Sequence, residues 1–165
     1  MAIALLTLAL MGTLAFLGTL LLGYQAAAAA VPLARHFLAA LAATTILVMA
    51  HSFIMFFLIA TGVEMKDLEK SGGWGDSFRR RTIALKGRVF PQMTLALLLI
   101  MANFILGAAA HTRAIPSWAH AGVAWLTLVV CLATLLREYR VLGENNRLID
   151  EAGRRRRVGG SAPQA

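Results

Sequence analysis

Charged residues are absent from four long stretches of this chain. No Asp, Glu, Lys or Arg occurs in Met1–Ala34, His36–Val63, Val89–Thr112 or Ala114–Leu136. A helix needs about 20 predominantly apolar residues to cross about 30 Å of hydrocarbon, and each stretch is long enough. A water-soluble helix would instead carry charges along one face. The pattern therefore predicts four membrane-spanning helices, over about residues 2–23, 33–62, 90–110 and 117–136.

The connections between these spans predict how they pack. Gln25–Pro32 and His111–Pro116 are short, so consecutive helices should be antiparallel neighbours. Pro32 and Pro91 suit the first turn of a helix. We expect an all-α, integral membrane four-helix antiparallel bundle. The 165 residues leave no room for a separate catalytic domain, and no phosphate loop, nucleophile elbow or metalloprotease motif appears. These observations predict no catalytic activity of the chain's own.

The pattern becomes amphipathic after Leu136. Three apolar residues, Leu142, Leu148 and Ile149, recur among charged ones. This spacing predicts a cytoplasmic amphipathic extension of the fourth helix. Its apolar stripe would dock on the chain's own loop, on lipid or on a partner, and we favour the partner. The first domain would then cover residues 1–152, and residues 153–165 would form a disordered basic tail.

The basic residues are distributed unequally between the two sides of the predicted membrane. The net charge is +8, and of 16 Lys and Arg residues only Arg35 and Arg113 lie outside the loop 64–88 and the segment after Leu136. The positive-inside rule therefore places both termini in the cytoplasm. We expect a multi-pass plasma membrane protein, and the Ala, Arg and Gly content suggests a bacterial inner membrane. No recognisable nucleic-acid module accompanies the charge, so we expect no nucleic-acid partner.

Two surfaces are candidates for contacts outside the chain. Trp74 and Phe78 precede a basic cluster, which indicates either a segment lying on the membrane surface or a solvated loop. The predicted lipid head-group contacts are Arg79, Arg80, Arg81, Lys86 and Arg88. On helix one, the small residues Gly12, Ala15, Thr19 and Gly23 share a face that permits close approach of another helix. We expect a helix of the same chain there rather than a second copy.

Three of the four histidines fall at the predicted outer ends of the spans. His36 begins helix two, His111 ends helix three and His120 begins helix four. Three imidazoles at one level are suited to zinc or copper, and two of them to a haem iron held from opposite sides. The alternative is that head groups solvate all three. Asn103, in the outer half of helix three, is a further intramembrane polar candidate, expected to form an interhelical hydrogen bond.

His51 lies well inside the second span. An intramembrane histidine should face protein and have a polar partner, because an unpaired imidazole is unfavourable in hydrocarbon. A His–Met haem site with a methionine of a neighbouring helix is one hypothesis. A neutral ring bonded to a carbonyl or hydroxyl is the other. His51 and His36 are separated by about 22 Å at about 1.5 Å per helical residue, so they cannot share one iron.

Two functions remain open at this point. The first is an accessory or scaffolding subunit of a larger membrane complex, with the bilayer and either other membrane subunits or a second copy as partners. The second is a b-type haem-binding electron-transfer subunit or membrane anchor with histidine ligands. The sequence fixes no cofactor, although haem b is compatible with it.

Overall fold

The computed structural model describes residues 1–72, 74 and 76–159, and these residues form four helices with no strand. Each helix is long and apolar enough to span a membrane. The predicted all-α membrane bundle is therefore confirmed. The helices are α1, Ala2–Ala27; α2, Leu33–Gly72; α3, Ser77–His111; and α4, Ser117–Gly159.

Helices α2, α3 and α4 continue well beyond the predicted spans on the basic side. The proposed surface segment around Phe78 is instead the first turn of α3, with Phe78 itself buried. Pro91 lies inside α3 rather than at its start, and α4 passes through Gly153 to Gly159. These predictions were wrong because aromatic, proline and glycine residues were taken as boundaries, whereas a long helix tolerates them, and charges on its exposed face, where its apolar positions keep their spacing. The rest of the predicted tail, residues 160–165, lies outside the described residues.

The core follows a spacing of three and four residues along each long helix, as in a left-handed coiled coil. Along α2 the buried positions include Ala43, Leu47, Ala50, Ile54, Leu58, Thr61 and Met65. Along α3 they are Phe78, Thr82, Leu85, Val89, Met93, Ala96 and Ile100. Along α4 they include Ala124, Leu128, Cys131, Thr134, Glu138, Leu142, Asn145 and Leu148. One continuous seam therefore joins the membrane part to the extension.

The apolar stripe of α4 belongs to this core. Leu142 and Leu148 are 1% and 2% exposed, in one cluster with Met65 and Leu85, and Ile149 packs against the same cluster. Side chains buried among the chain's own helices are not available to another molecule. This corrects the assignment of the stripe to a partner, because the extensions of α2 and α3 already cover it.

The bundle consists of two similar helical hairpins, α1–α2 and α3–α4. Each helix packs on its hairpin partner, α1 also packs on α4, α2 on α3, and α2 faces α4 across the diagonal. A shift of 84 residues superimposes landmark residues of the two hairpins: Gly23 on Gly107, Pro32 on Pro116, and His36 on His120. Thr61 and Asn145, which the same shift relates, meet through a 3.2 Å hydrogen bond. The shared spacing, together with the contact between equivalent residues, indicates an internal repeat of about 84 residues.

The two outer turns are built in the same way. Ala29 and Arg113 have φ of 55° and 60°, and the following residues, Ala30 and Ala114, donate to carbonyls five residues back. This is the Schellman ending of a helix, with a left-handed residue where glycine is usual. The next helix then begins just after a proline in each turn. Equivalent turns bring His36 and His120, each four residues after its proline, to the same level.

The row of small residues on α1 packs within the chain, as expected. A Cβ added to Gly12 would lie 3.0 Å from Leu47 Cδ2, and one added to Gly23 would lie 3.0 Å from His36 Cε1. Both neighbours belong to α2. The close approach of α1 thus serves the first hairpin and its histidine.

Candidate cofactor site at the outer end

The structure brings together two of the three outer histidines. The ring centroids of His36 and His120 are 6.5 Å apart, and the ring planes are inclined at 69°. His111 is exposed at the end of α3, at the edge of the same cavity. Among the described residues no group of three or more His, Cys, Asp or Glu is placed to hold a metal ion. The arrangement is therefore a pair of imidazoles rather than a three-histidine cluster.

The His36 ring is fixed by a backbone hydrogen bond. Its Nδ1 lies 3.0 Å from the carbonyl oxygen of Thr19 on α1. A carbonyl only accepts, so Nδ1 donates its hydrogen, and in the neutral ring the lone pair is on Nε2. A hydrogen bond at one ring nitrogen is the usual way in which a protein orients the other nitrogen toward a metal.

The His120 ring is positioned by a glycine of its own hairpin. A Cβ on Gly107 would lie 3.2 Å from His120 Cε1, so only glycine leaves the ring its present space. The buried Nδ1 of His120 has no hydrogen-bond partner within the part of the chain that the structure describes. This nitrogen is therefore available to a further hydrogen-bonding or ligand group.

Both rings line a cavity of about 1120 Å³. Its volume is slightly larger than the range of about 300–1,000 Å³ typical of sites for small molecules and cofactors. Aromatic residues form much of the wall: Tyr24, Phe37, Phe104, Trp118 and Trp125. The Trp125 indole donates to the Tyr24 hydroxyl at 2.9 Å, which connects α4 to the end of α1.

Two of the polar residues that line the cavity bear on what it can bind. Arg113, the left-handed residue of the second turn, contributes a cation to the lining. Asn103 also lines it, and its buried Oδ1 has no partner among the described residues, so the structure does not provide the interhelical hydrogen bond expected for this oxygen. An apolar cavity with a few polar groups is typical of sites for small organic molecules.

His51 lies away from the cavity of His36 and His120, and its polar partner differs from those that the sequence suggested. It is fully buried, so the prediction that it faces protein is confirmed. Its Nδ1 lies 2.6 Å from Oε1 of Glu138, which is also fully buried. Neither the proposed methionine nor a carbonyl or hydroxyl provides the polar contact at Nδ1. The partner is a carboxylate on α4.

Glu138 was missed because it lies two residues beyond the predicted fourth span. Helix side chains lean toward the N-terminus, so Glu138 points back into the membrane part of the bundle. The spacing of three and four residues from Cys131 and Thr134 was the available signal. It places Glu138 on the buried face of α4, and Asn145 two turns later on the same face.

The basic residues of α3 form ion pairs on the surface of the extension. Arg81 lies 2.8 Å from Glu151, Arg88 pairs with Glu144, and Arg80 lies 2.9 Å from Asp76. All of these side chains are substantially exposed. Such pairs typically contribute about 0–1 kcal/mol each. Contact of this surface with lipid head groups stays a prediction.

No protein-family model, curated protein or solved structure matches this chain.

Proposed function

We propose that this membrane protein binds haem b between His36 and His120 and serves as an electron-transfer subunit. The observation that carries the proposal is the meeting of two repeat-equivalent histidines over one cavity. Two axial imidazoles of one iron have centroids about 6 Å apart, since each metal–nitrogen distance is about 2 Å. The centroid separation of 6.5 Å agrees with that requirement.

Other features of the cavity support the same ligand. The Nε2 lone pair of His36 is free to bind iron because Nδ1 donates to Thr19. The aromatic walls suit a macrocycle, and Arg113 suits its propionates, since guanidinium groups pair well with carboxylates. A bare metal ion would leave most of the volume of about 1120 Å³ unfilled.

Each residue has a separate task in this proposal. His36 and His120 would provide the axial nitrogens, and Gly23 and Gly107 would let the two rings approach their hairpin partners. The aromatic residues would keep water away. Bound haem supplies one-electron chemistry whose potential depends on the axial ligands and on burial. Electrons would be exchanged with other proteins or with a membrane-soluble carrier, which would make this an accessory subunit of a larger system.

The test is the visible absorption spectrum of the full chain, purified in mild detergent from cells supplied with a haem precursor. We expect a Soret band with sharp α and β bands after reduction, typical of two imidazole ligands. His36→Gly and His120→Gly should each lose this spectrum, and added imidazole should restore it in part. His111→Gln tests the third histidine of the cavity, and we expect it to keep the two-imidazole spectrum because His111 lies outside the pair.

Two results would contradict the proposal. One is a chain that binds no haem during expression and shows no saturable spectral change on titration with haemin. The other is a two-imidazole spectrum that survives the loss of His36 or His120. Co-purification of a quinone or phospholipid in the cavity, without haem, would assign the site to that ligand instead.

A further inference from the structure

A second group of polar side chains lies inside the bundle, away from the outer cavity. His51 on α2 and Glu138 on α4 are joined at 2.6 Å, with side-chain exposures of 1% and 0%. Each keeps one buried atom without a partner among the described residues, Nε2 of His51 and Oε2 of Glu138. The buried Oε1 of Gln92 on α3 is also without one. The Arg137 guanidinium on α4 donates to the Arg88 carbonyl oxygen on α3 at 3.5 Å. Glu138 follows Arg137, and Gln92 lies one helical turn from Arg88, so Gln92 and Glu138 lie on neighbouring parts of the two helices.

This group departs from the internal repeat. The 84-residue shift relates His51 to Leu135, Gln92 to Leu8 and Glu138 to Ile54. At each of these three positions, the other hairpin therefore has an aliphatic residue. Packing alone is satisfied by aliphatic side chains there, and a buried ionisable pair is costly to desolvate. The three polar residues therefore need an explanation other than the fold.

The surroundings of the pair determine what can reach it. On the outer side, Leu47 and Cys131 are completely buried, and Cys131 is the titratable neighbour on α4, two turns from Glu138. On the basic side, the Asn145–Thr61 hydrogen bond continues the polar groups toward the extension. Helix α1 has no charged side chain. On α3 and α4 the nearest cations along the chain, Arg88 and Arg137, are exposed. Leu58 and Leu142, on the basic side of the pair, are also only 1% exposed, so burial does not distinguish the two directions; the polar Asn145–Thr61 contact is what favours entry from the basic side.

We propose that His51 and Glu138 form a proton-binding site inside the bundle, loaded from the basic side of the membrane. With one proton the pair is neutral overall, as imidazolium and carboxylate. A second proton, taken from water, goes to the carboxylate and leaves imidazolium with a neutral acid, one positive charge in total. The unpartnered atoms of His51, Gln92 and Glu138 would bind the water that this charge requires. The proposal is independent of haem binding.

Infrared difference spectroscopy of the haem-free chain in lipid nanodiscs tests this proposal. We expect acidification from about pH 8 to about pH 5 to produce the C=O stretching band of a buried carboxylic acid. Glu138→Gln should abolish the band. Glu144→Gln, which removes an exposed carboxylate of the same helix, should leave it. In His51→Gln the carboxyl group loses its imidazole partner, so the band should change in size or frequency.

The amide I band of the same spectra reports whether each variant is still helical. If Glu138→Gln is unfolded, Glu138→Asp decides, since it keeps a carboxyl group and should give a band at a shifted frequency. A band that persists in Glu138→Gln, or that does not move in Glu138→Asp, overturns the proposal. So does a wild-type chain without any carboxylic acid band over this range of pH, because the pair would then be a permanent structural bond.

Discussion

Alanine at Gly23 or Gly107 should disturb the histidine pair through the space that it takes from each ring. A Cβ on Gly23 would lie 3.0 Å from Cε1 of His36, and one on Gly107 would lie 3.2 Å from Cε1 of His120. Ordinary contacts of this kind are longer by a few tenths of an ångström. Each ring must therefore move, or the helices of its hairpin must separate by a similar amount.

The expected cost follows from the rigidity of each ring. Extra methyl groups in a packed core cost about 1–3 kcal/mol. His36 is tied to Thr19 and has the shorter contact, so Gly23→Ala should fall near the upper end of this range. His120 has no partner at Nδ1 and can rotate, so Gly107→Ala should fall near the lower end. Matched controls are Gly18→Ala and Gly122→Ala, since a Cβ at either position meets nothing within 4 Å.

The assay is reversible unfolding of the full chain in mixed micelles, followed by circular dichroism at increasing denaturing detergent. The controls should be neutral or more stable by up to about 1 kcal/mol, because alanine is the better helix former. Equal stability of Gly23→Ala and Gly18→Ala would refute the close packing of His36 on α1. This result is independent of any cofactor, and haem titration of the same variants then tests whether displaced rings bind more weakly.

Three further predictions concern the rest of the chain. Reporter fusions at residue 165 should be cytoplasmic and those within 26–30 external, because of the basic excess at the other end of the bundle; the opposite result would reverse the placement of the cavity. Leu148→Ala should destabilise the extension by about 2–5 kcal/mol, as measured by proteolysis, while membrane insertion is unchanged. Glu69→Ala should accelerate amide exchange at Phe78 by roughly 10- to 100-fold, because the Glu69 carboxylate accepts the Phe78 N–H at 2.5 Å and caps α3.

The spans were predictable because the membrane imposes one strong rule on sequence. Charges are excluded from hydrocarbon, so charge-free runs identify the crossings directly. This rule does not apply outside the membrane, and the predicted ends of the helices were wrong there. Phe78 and Leu148 show what replaces it, because each lies on a buried seam with a spacing of three and four residues, whatever the charge of its neighbours. This spacing after Leu136 predicted the extension of α4, and reading it across residues 77–89 predicts the extension of α3 that the hydrophobic runs miss.

The sequence predicted at which end of the bundle the candidate site lies, but not which histidines form it. Counting from helix ends placed His36, His111 and His120 at one end of the bundle. It did not distinguish the pair that meets from the histidine that does not. The internal repeat makes that distinction, because His36 and His120 are equivalent whereas His111 corresponds to Ala27. The shared Gly, Pro and His spacing carries this information, although most other positions of the two hairpins differ.

The polar contacts between α2 and α4 also fix how these two helices align. An apolar seam with a heptad spacing allows a shift of one helix by seven residues at little cost, whereas a buried polar pair allows one register. Thr61 and Asn145 are repeat equivalents and meet directly, which sets the symmetric alignment. His51 and Glu138 are 87 residues apart rather than 84, so their bond crosses almost one helical turn. The His51–Glu138 pair therefore makes α2 and α4 inequivalent, whereas His36 and His120 occupy equivalent positions on the two helices.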